Sequence, residues 1–294
     1  EEATHAKLVF FTNISHDFRT PLTLVADPVE QLLADPSLEG DRRRMLLLVQ
    51  RNVQILLRLV NQILDFRKYE TGKMEFTPVP LNLLQCFGEW NDSFQAAARR
   101  KYIHFSFDSM PGADYHTLAD AEKMERIYFN LLGNAFKFTP ENGKVTVRLS
   151  ALQKEGTPFF RFTVANTGSL ISAEHIRSIF DRFYKIDRHH TGSGIGLALV
   201  KAFVEIHGGI IEVESDERQG TVFTVDLPVR TCEAETGVAS APVEASAPDR
   251  VDNLLREDEA ENFNDPSKPS VLVIDDNADI RAYCLLYTSD AADE

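Results

Sequence analysis

The sequence predicts an α+β chain: a helical hairpin that pairs with a second copy into a four-helix bundle, followed by an α/β sandwich. Three observations predict it. Apolar residues recur in steps of three and four over about the first 70 positions, the spacing of one face of a helix. Between about 76 and 228, short alternating runs mix with helical stretches, an order that packs helices on one face of a largely antiparallel sheet. Finally, 43% of the 294 residues are hydrophobic and 26% charged, enough apolar side chains to fill packed cores rather than leave the chain unfolded.

The hairpin comes first. Phe11, Ile14, Phe18, Leu22, Val25, Val29 and Leu32 form one stripe. Asp35-Pro36-Ser37 and Gly40-Asp41 break it. Met45, Val49, Val53, Leu56, Val60 and Ile63 then form a second stripe, which ends at Thr71-Gly72. Two amphipathic helices alone hide too little apolar surface, so the stripes call for a second copy.

From about Phe76 the pattern changes. A helix over 82–99 leads to a strand at Ile103–Phe107, and a helix over 120–137 follows. Val145–Leu149 and Phe160–Val164 alternate as strands joined by a Gly/Pro turn. A helix over 173–181, a glycine-rich loop, a helix over 195–207 and strands at 210–214 and 221–227 close the unit. Residues 230–268 are rich in Ala, Glu, Asp, Pro and Ser, the composition of an acidic disordered linker. Ser270–Ile274 reads as a buried strand running into Asp275-Asp276, while 284–294 has no clear continuation. The expected divisions are therefore 1–72, 73–229, 230–268 and 269–294. Glu1 opens inside a helical pattern, so the chain reads as part of something longer.

Charge and cysteine usage narrow the function. A net charge of -14 argues against a nucleic-acid surface. Cys86, Cys232 and Cys284 are too scattered for a disulfide framework or zinc site, and they fit a reducing compartment. No apolar run approaches the roughly 18 residues that cross a bilayer, so no membrane contact is expected within these residues.

His16 stands two positions from both Ile14 and Phe18, which turns it to the wet side of the first stripe. An imidazole there is available as a nucleophile. Asp17 can hold one ring nitrogen and leave the other free to attack. Thr20, four residues on, shares the face, and Pro21 bends the helix just beyond. Taken alone, a solvent-exposed histidine is the plainer account.

The run Ser15-His16-Asp17-Phe18-Arg19-Thr20-Pro21-Leu22 resembles the phosphoacceptor box of the sensor histidine kinases. Four further runs resemble that family's boxes in the family's order: Asn130 to Pro140 (the asparagine box), Asn166-Thr167-Gly168, Phe180 to Lys185, and Gly192-Ser193-Gly194-Ile195-Gly196-Leu197. Each box is modestly specific; five in order over about residues 5–228 are much more so. The resemblance implies a dimeric four-helix-bundle hairpin followed by a histidine-kinase-type ATP-binding α/β sandwich. It implies ATP and Mg²⁺ as cofactors and autophosphorylation of His16, with Asp17 and Thr20 assisting. It places Asn130, Asn134, Lys137, Asn166, Gly168, Lys185, Gly192, Gly194, Gly196 and Thr221 around ATP.

Physical sense can be made of each box. Asn130 and Asn134 share a helix face, and their amide oxygens can help hold an ATP-bound Mg²⁺, Asn134 above all. For the pair alone, two structural amides serve as well. Lys137, one turn on, can meet phosphate charge. The glycines at 192, 194 and 196 let backbone approach phosphates, and the helix after them aims its positive end there. Phe180, Phe183 and Tyr184 are expected to pack the base of a lid formed by Asp187 to His190, with stacking on a nucleotide base as the alternative. His189-His190 lacks a third metal ligand. Asn166 departs from the family, which places an acid there to hydrogen-bond adenine; an amide oxygen accepts that bond without charge. A second glycine is also missing, with Ser169-Leu170 in its place.

Val271 to Asp276 resembles the opening of a response-regulator receiver domain, with Asp275 and Asp276 as its metal-holding acidic pair, here vestigial. The acceptor aspartate would lie beyond the end, so a truncated receiver with an anomalous tail is expected. The partners implied are a second copy and a receiver, either of the same full-length chain or of a separate response regulator. The implied location is the cytoplasmic face, with the full-length parent anchored in the inner membrane. Rival functions are an ATP hydrolase of the related gyrase and chaperone superfamily, a phosphatase-dominant sensor, and a scaffold that no longer binds nucleotide. The hydrolases place a Glu where Asn130 stands, and an amide cannot serve as a general base.

Overall fold

The computed structural model describes residues 21–35, 37–38, 40–186 and 193–231. They fall into two compact units, one reaching Lys68 and the other starting at Tyr69.

The first unit is helical. Helix α1 covers 21–33 and α2 covers Gly40–Glu70. The Arg43 guanidinium donates to Leu33 O across the connection at 3.2 Å. The stripe residues do not share one fate. Val29 and Val53 are buried, whereas Val25, Leu32, Met45, Val49 and Leu56 stay exposed within a single chain. No helix among the described residues is long and apolar enough to cross a membrane.

The second unit is a two-layer α/β sandwich. Its elements in order are β1 (Val79–Asn82), α3 (Leu83–Arg100), β2 (His104–Ser109), β3 (His116–Ala119), α4 (Ala121–Phe138), β4 (Lys144–Lys154), β5 (Thr157–Asn166), α5 (Ala173–Ile176), α6 (Gly196–Ile206), β6 (Ile210–Asp216) and β7 (Gly220–Pro228). Five strands form one sheet in the order β2-β4-β5-β7-β6. Only β2–β4 is parallel; the other pairs are antiparallel. Alternate residues of β5 and β7 (Phe160, Phe162 and Val164; Phe223, Val225 and Leu227) bury one face of the sheet. The core above it is aromatic: Phe87 lies 4.5 Å from Tyr128 and 5.1 Å from Phe162, ring centre to ring centre.

The structure corrects the expected elements in two places. The helix expected over 173–181 is one turn, Ala173–Ile176. Two strands went unforeseen: β1 and β3 pair with each other as a separate antiparallel ribbon, Val79 opposite Ala119 and Asn82 opposite His116.

Local chemistry fixes α4, the helix that matters most for the site. Asp120 is its N-cap, accepting from the Lys123 amide at 3.1 Å and from the Lys123 ammonium at 2.6 Å. The Thr77 amide and hydroxyl also bond it, at 3.1 and 2.9 Å. These bonds outweigh burial and hold its carboxyl below the usual carboxylate range. The Asp120 amide donates to His207 Nε2 at 3.1 Å, while His207 Nδ1 donates to Phe203 O at 2.7 Å. Burial lowers the His207 pKa, so the ring stays neutral and joins α4 to α6. Asp226, 2% exposed, is held by the fork of Arg161 at 2.6 and 2.7 Å and by Lys154.

Asp120→Ala is expected to lower unfolding stability by about 1–2 kcal/mol in a urea titration. A carboxyl whose folded pKa is depressed contributes its stability above its unfolded pKa and loses it as pH falls through the folded value. The difference between wild type and variant should therefore be constant down to about pH 5 and shrink below about pH 4. A difference that grows on acidification contradicts this role.

Candidate functional site

Helix α4 is the floor on which the candidate residues meet. Asn130 and Asn134 lie one turn apart and are half-buried; Lys137 follows in the last turn. Asn130 Nδ2 donates to Arg126 O at 2.7 Å, which fixes the amide. Its oxygen then faces the start of α6: a Cβ on Gly196 would come within 2.9 Å of Asn130 Oδ1. Residues far apart in sequence are thus in contact only because position 196 lacks a side chain.

The N-terminus of α6 is open. Its N-cap is Ile195, which makes no side-chain cap, and its first turn carries no acid. The leading amides of a helix have no partner within it, so this end offers donors and a positive dipole toward Asn130. Ser193 Oγ accepts from the Ile195 amide at 3.2 Å. Gly194, at φ 68°, accepts from the Phe183 amide at 2.9 Å, and a Cβ there would lie 2.8 Å from the Phe183 backbone. The phenylalanine turn and the glycine loop are therefore stitched together.

The third side of the site is the end of β5 and β7. Asn166 and Thr221 sit opposite each other in the ladder, both buried. Asn166 Nδ2 donates to Thr167 O at 3.4 Å. Thr221 Oγ1 donates to Ser169 O at 3.2 Å and pairs with Ser215 Oγ at 2.8 Å. Ser215 Oγ in turn accepts from the Ile171 amide at 2.9 Å. That chain of hydroxyls pins the loop 167–171. Gly168, at φ 124°, presses this loop against the end of α4, where a Cβ would lie 2.7 Å from Phe138 O.

Of the sequence-predicted residues, the structure brings Asn130, Asn134, Lys137, Asn166, Gly168, Gly194, Gly196 and Thr221 around the end of α4 and its two flanking loops. Lys185 is exposed next to the phenylalanine turn. His16, Asp17, Thr20, Gly192, Asp275, Asp276 and the expected lid Asp187–His190 lie outside the described residues. With the lid outside the described residues, what is seen of the three aromatics is their own contacts. Phe180 meets Phe223 edge-on at 6.4 Å, and the Tyr184 hydroxyl bonds His175 Nδ1 at 2.5 Å. Phe183 differs: it is 66% exposed, with φ 57°. Ser169 and Ser215 were not anticipated. The sequence signal for Ser169 was its place beside a missing glycine; Ser215 carried none.

No group of three or more metal-ligating side chains occurs among the described residues. A Mg²⁺ here would thus be carried largely by phosphate oxygens and water, with amide oxygens assisting, which is how Mg²⁺ is commonly bound. The open helix end and the two glycine approaches fit a polyphosphate.

Comparison with known proteins agrees with this geometry. The profile of the His Kinase A (phospho-acceptor) domain matches residues 6–72. That of the histidine kinase-, DNA gyrase B-, and HSP90-like ATPases matches 119–231. Histidine kinase P4 of Formosa agariphila is 36% identical over 78% of this chain, and hybrid signal transduction histidine kinase D of Dictyostelium discoideum is 37% identical over 78%. The chain spans only 17% and 15% of the length of those two relatives. Among solved structures, full-length ShkA in complex with AMPPNP superposes with a TM-score of 0.65 at 29% identity, over 80% of this chain and 47% of that one. A phospho-acceptor hairpin, then an ATPase-type sandwich whose asparagine helix faces an uncapped glycine-led helix, together place this chain in the sensor histidine kinase family.

Proposed function

We propose that this chain binds ATP with Mg²⁺ at the α4–α6 site and phosphorylates its own His16. The observation that carries this is Gly196 seated against Asn130 Oδ1 at the uncapped start of α6. An amide oxygen and a row of free amides converge there, as a magnesium-bound triphosphate requires. Asn134 and Lys137 extend the same face. Asn166, its amide donor turned to Thr167 O, offers its oxygen to the adenine amino group, and Thr221 holds the loop beneath it. Lys185 and Gly192 complete the mouth, with Asp187–His190 as a lid.

In the transfer, an imidazole nitrogen of His16 bonds the γ-phosphorus as the bond to the β–γ bridging oxygen breaks, and ADP leaves. Asp17 holds the proton on the other ring nitrogen. Mg²⁺ neutralises charge on the phosphates when bound. Asn130 stands where a hydrolase needs a base; an amide cannot activate water at neutral pH, which favours transfer over hydrolysis. The phosphoryl group then passes to a receiver aspartate outside this chain, and Thr20 suits positioning a water that hydrolyses that aspartyl phosphate to free phosphate, the phosphatase activity. Residues 1–72 act as the hairpin, 73–229 as the ATP-binding domain, 230–268 as a linker and 269–294 as a receiver start, with Asp275 and Asp276 a vestigial metal pair. The whole protein works at the cytoplasmic face, anchored in the inner membrane.

Gly196→Ala tests the site. It should weaken ATP binding about tenfold, because the methyl displaces the Asn130 amide, while leaving the unfolding midpoint equal or slightly higher, since alanine favours helix. Unchanged affinity refutes the placement.

The hairpin should also dimerise. Val25, Leu32, Met45, Val49 and Leu56 remain exposed on one chain. Burying each such side chain is worth roughly 1.5–3 kcal/mol, and a closed two-fold pairing is the commonest way to hide them. Sedimentation of the full chain should give a dimer; a monomer at micromolar concentration contradicts the proposal.

A further inference from the structure

Helices α4 and α6 pack together, and two contacts fix how. The Asp120 amide, at the head of α4, donates to His207 Nε2 at the tail of α6 at 3.1 Å. Ten residues along α4, Asn130 Oδ1 faces Gly196 at the head of α6. The helices are thus antiparallel, and at about 1.5 Å per residue the two contacts lie about 15 Å apart on either helix. They belong to one register: a slip of a single turn, about 5.4 Å, would carry Gly196 away from Asn130. The buried side chains of both helices are apolar, among them Met124, Ile127 and Leu131 in α4 and Leu199, Val200 and Phe203 in α6. Apolar burial is non-directional, whereas a buried hydrogen bond holds its partners to one geometry.

The surroundings of His207 hold its ring to that bond. The residue is 4% exposed. Its Nδ1 donates to Phe203 O at 2.7 Å, which leaves Nε2 as the acceptor. Phe76, just before β1, meets the ring edge-on at 5.0 Å. Arg230, just after β7, lies over Phe76 at 4.9 Å and donates to His207 O at 3.0 Å. The backbone beyond is fixed as well, since a Cβ on Gly209 would run into Asp226 O. Burial, Arg230 and Lys123 keep the ring neutral against the pull of Phe203 O and Asp120.

We infer that His207 is a positioning residue for the α4–α6 site: its bond to the Asp120 amide sets the register that holds Gly196 against Asn130 Oδ1, about 15 Å away. This role rests on the nucleotide reading of that site. His207 acts through α6 and not by touching ATP.

Three variants of the full chain separate the bond from the bulk of the side chain. His207→Gln places an amide oxygen near the position of Nε2 and can accept from Asp120. His207→Asn reaches only as far as Nδ1 and cannot. His207→Ala removes both nitrogens. The readouts are hydrogen exchange without nucleotide and ATP titration calorimetry. His207→Asn and His207→Ala should speed exchange of the Leu199 and Val200 amides, about two turns from position 207, by about tenfold. They should also weaken ATP binding about tenfold. His207→Gln should restore both to within about twofold of the wild type. The comparison of Asn with Gln stands even if His207→Ala does not fold. Faster exchange confined to 120–123 and 203–206, with ATP affinity unchanged, would overturn the inference. So would a His207→Gln variant no better than His207→Asn. The exchange measurement uses no nucleotide, so it decides the register even where calorimetry finds no ATP binding, a result that would sink the nucleotide reading instead.

Discussion

Asn134→Ala is expected to abolish Mg²⁺-dependent ATP binding, with a loss of at least about a hundredfold in affinity. Asn134 stands one turn beyond Asn130 on the half-buried face of α4, and in the proposed site its amide oxygen would be offered to a phosphate-bound cation. A hydrogen bond or coordinate contact to a charged group is worth roughly 1.5–3 kcal/mol, and losing it also loosens the water shell it helps orient. Asn130→Ala and Lys137→Ala should be comparable or milder. The Asn130 amide nitrogen already donates to Arg126 O, and in the proposed site Lys137 would act only as a point charge at the rim. Titration calorimetry with the full chain, with and without Mg²⁺, measures this. Because Asn134 is only half-buried, the variant should fold, and an unchanged affinity would show that the shared-face argument is wrong.

The parts of the fold that showed in the sequence are those whose periodicity is set by burial alone. Helices α3 and α4 and strands β4 to β7 fall where their apolar spacing puts them, because each lays a regular face on the aromatic core. Val79–Asn82 and His116–Ala119 were missed because each is four residues long and one holds Pro80, and because their pairing joins segments more than thirty residues apart. The parallel β2–β4 pair is equally a matter of long-range closure. Helix α5 stops at Ile176, although Ile179 and Phe180 continue a helical spacing. Those two pack from turns instead, Phe180 against Phe223.

The site was legible as a set of residues in order, since each box carries its own residue types. The contacts between boxes were not. That Gly196 touches Asn130, that Gly168 presses on Phe138 O, and that Thr221 reaches Ser169 through the β5–β7 register are consequences of the sheet order. Phe183 shows the limit from the other side. An aromatic expected to be covered is exposed, because its left-handed backbone is fixed by the bond to Gly194.

The largest effect of all is expected at His16. His16→Ala should remove every trace of phosphoryl incorporation while leaving ATP affinity as in the wild type, since position 16 belongs to the hairpin and not to the α4–α6 site. Asp17→Asn should keep ATP binding and slow transfer by roughly a hundredfold, because in the proposed mechanism the imidazole would lose the carboxylate that holds its second proton. No label should move from His16 to any aspartate of this chain, Asp275 and Asp276 included.

Incubating the full chain with γ-labelled ATP and Mg²⁺, and locating the label, tests autophosphorylation most directly. The expected result is an acid-labile, base-stable phosphoryl group confined to the peptide that contains His16, present in the wild type and absent from His16→Ala. Equal labelling of the His16→Ala variant would contradict it.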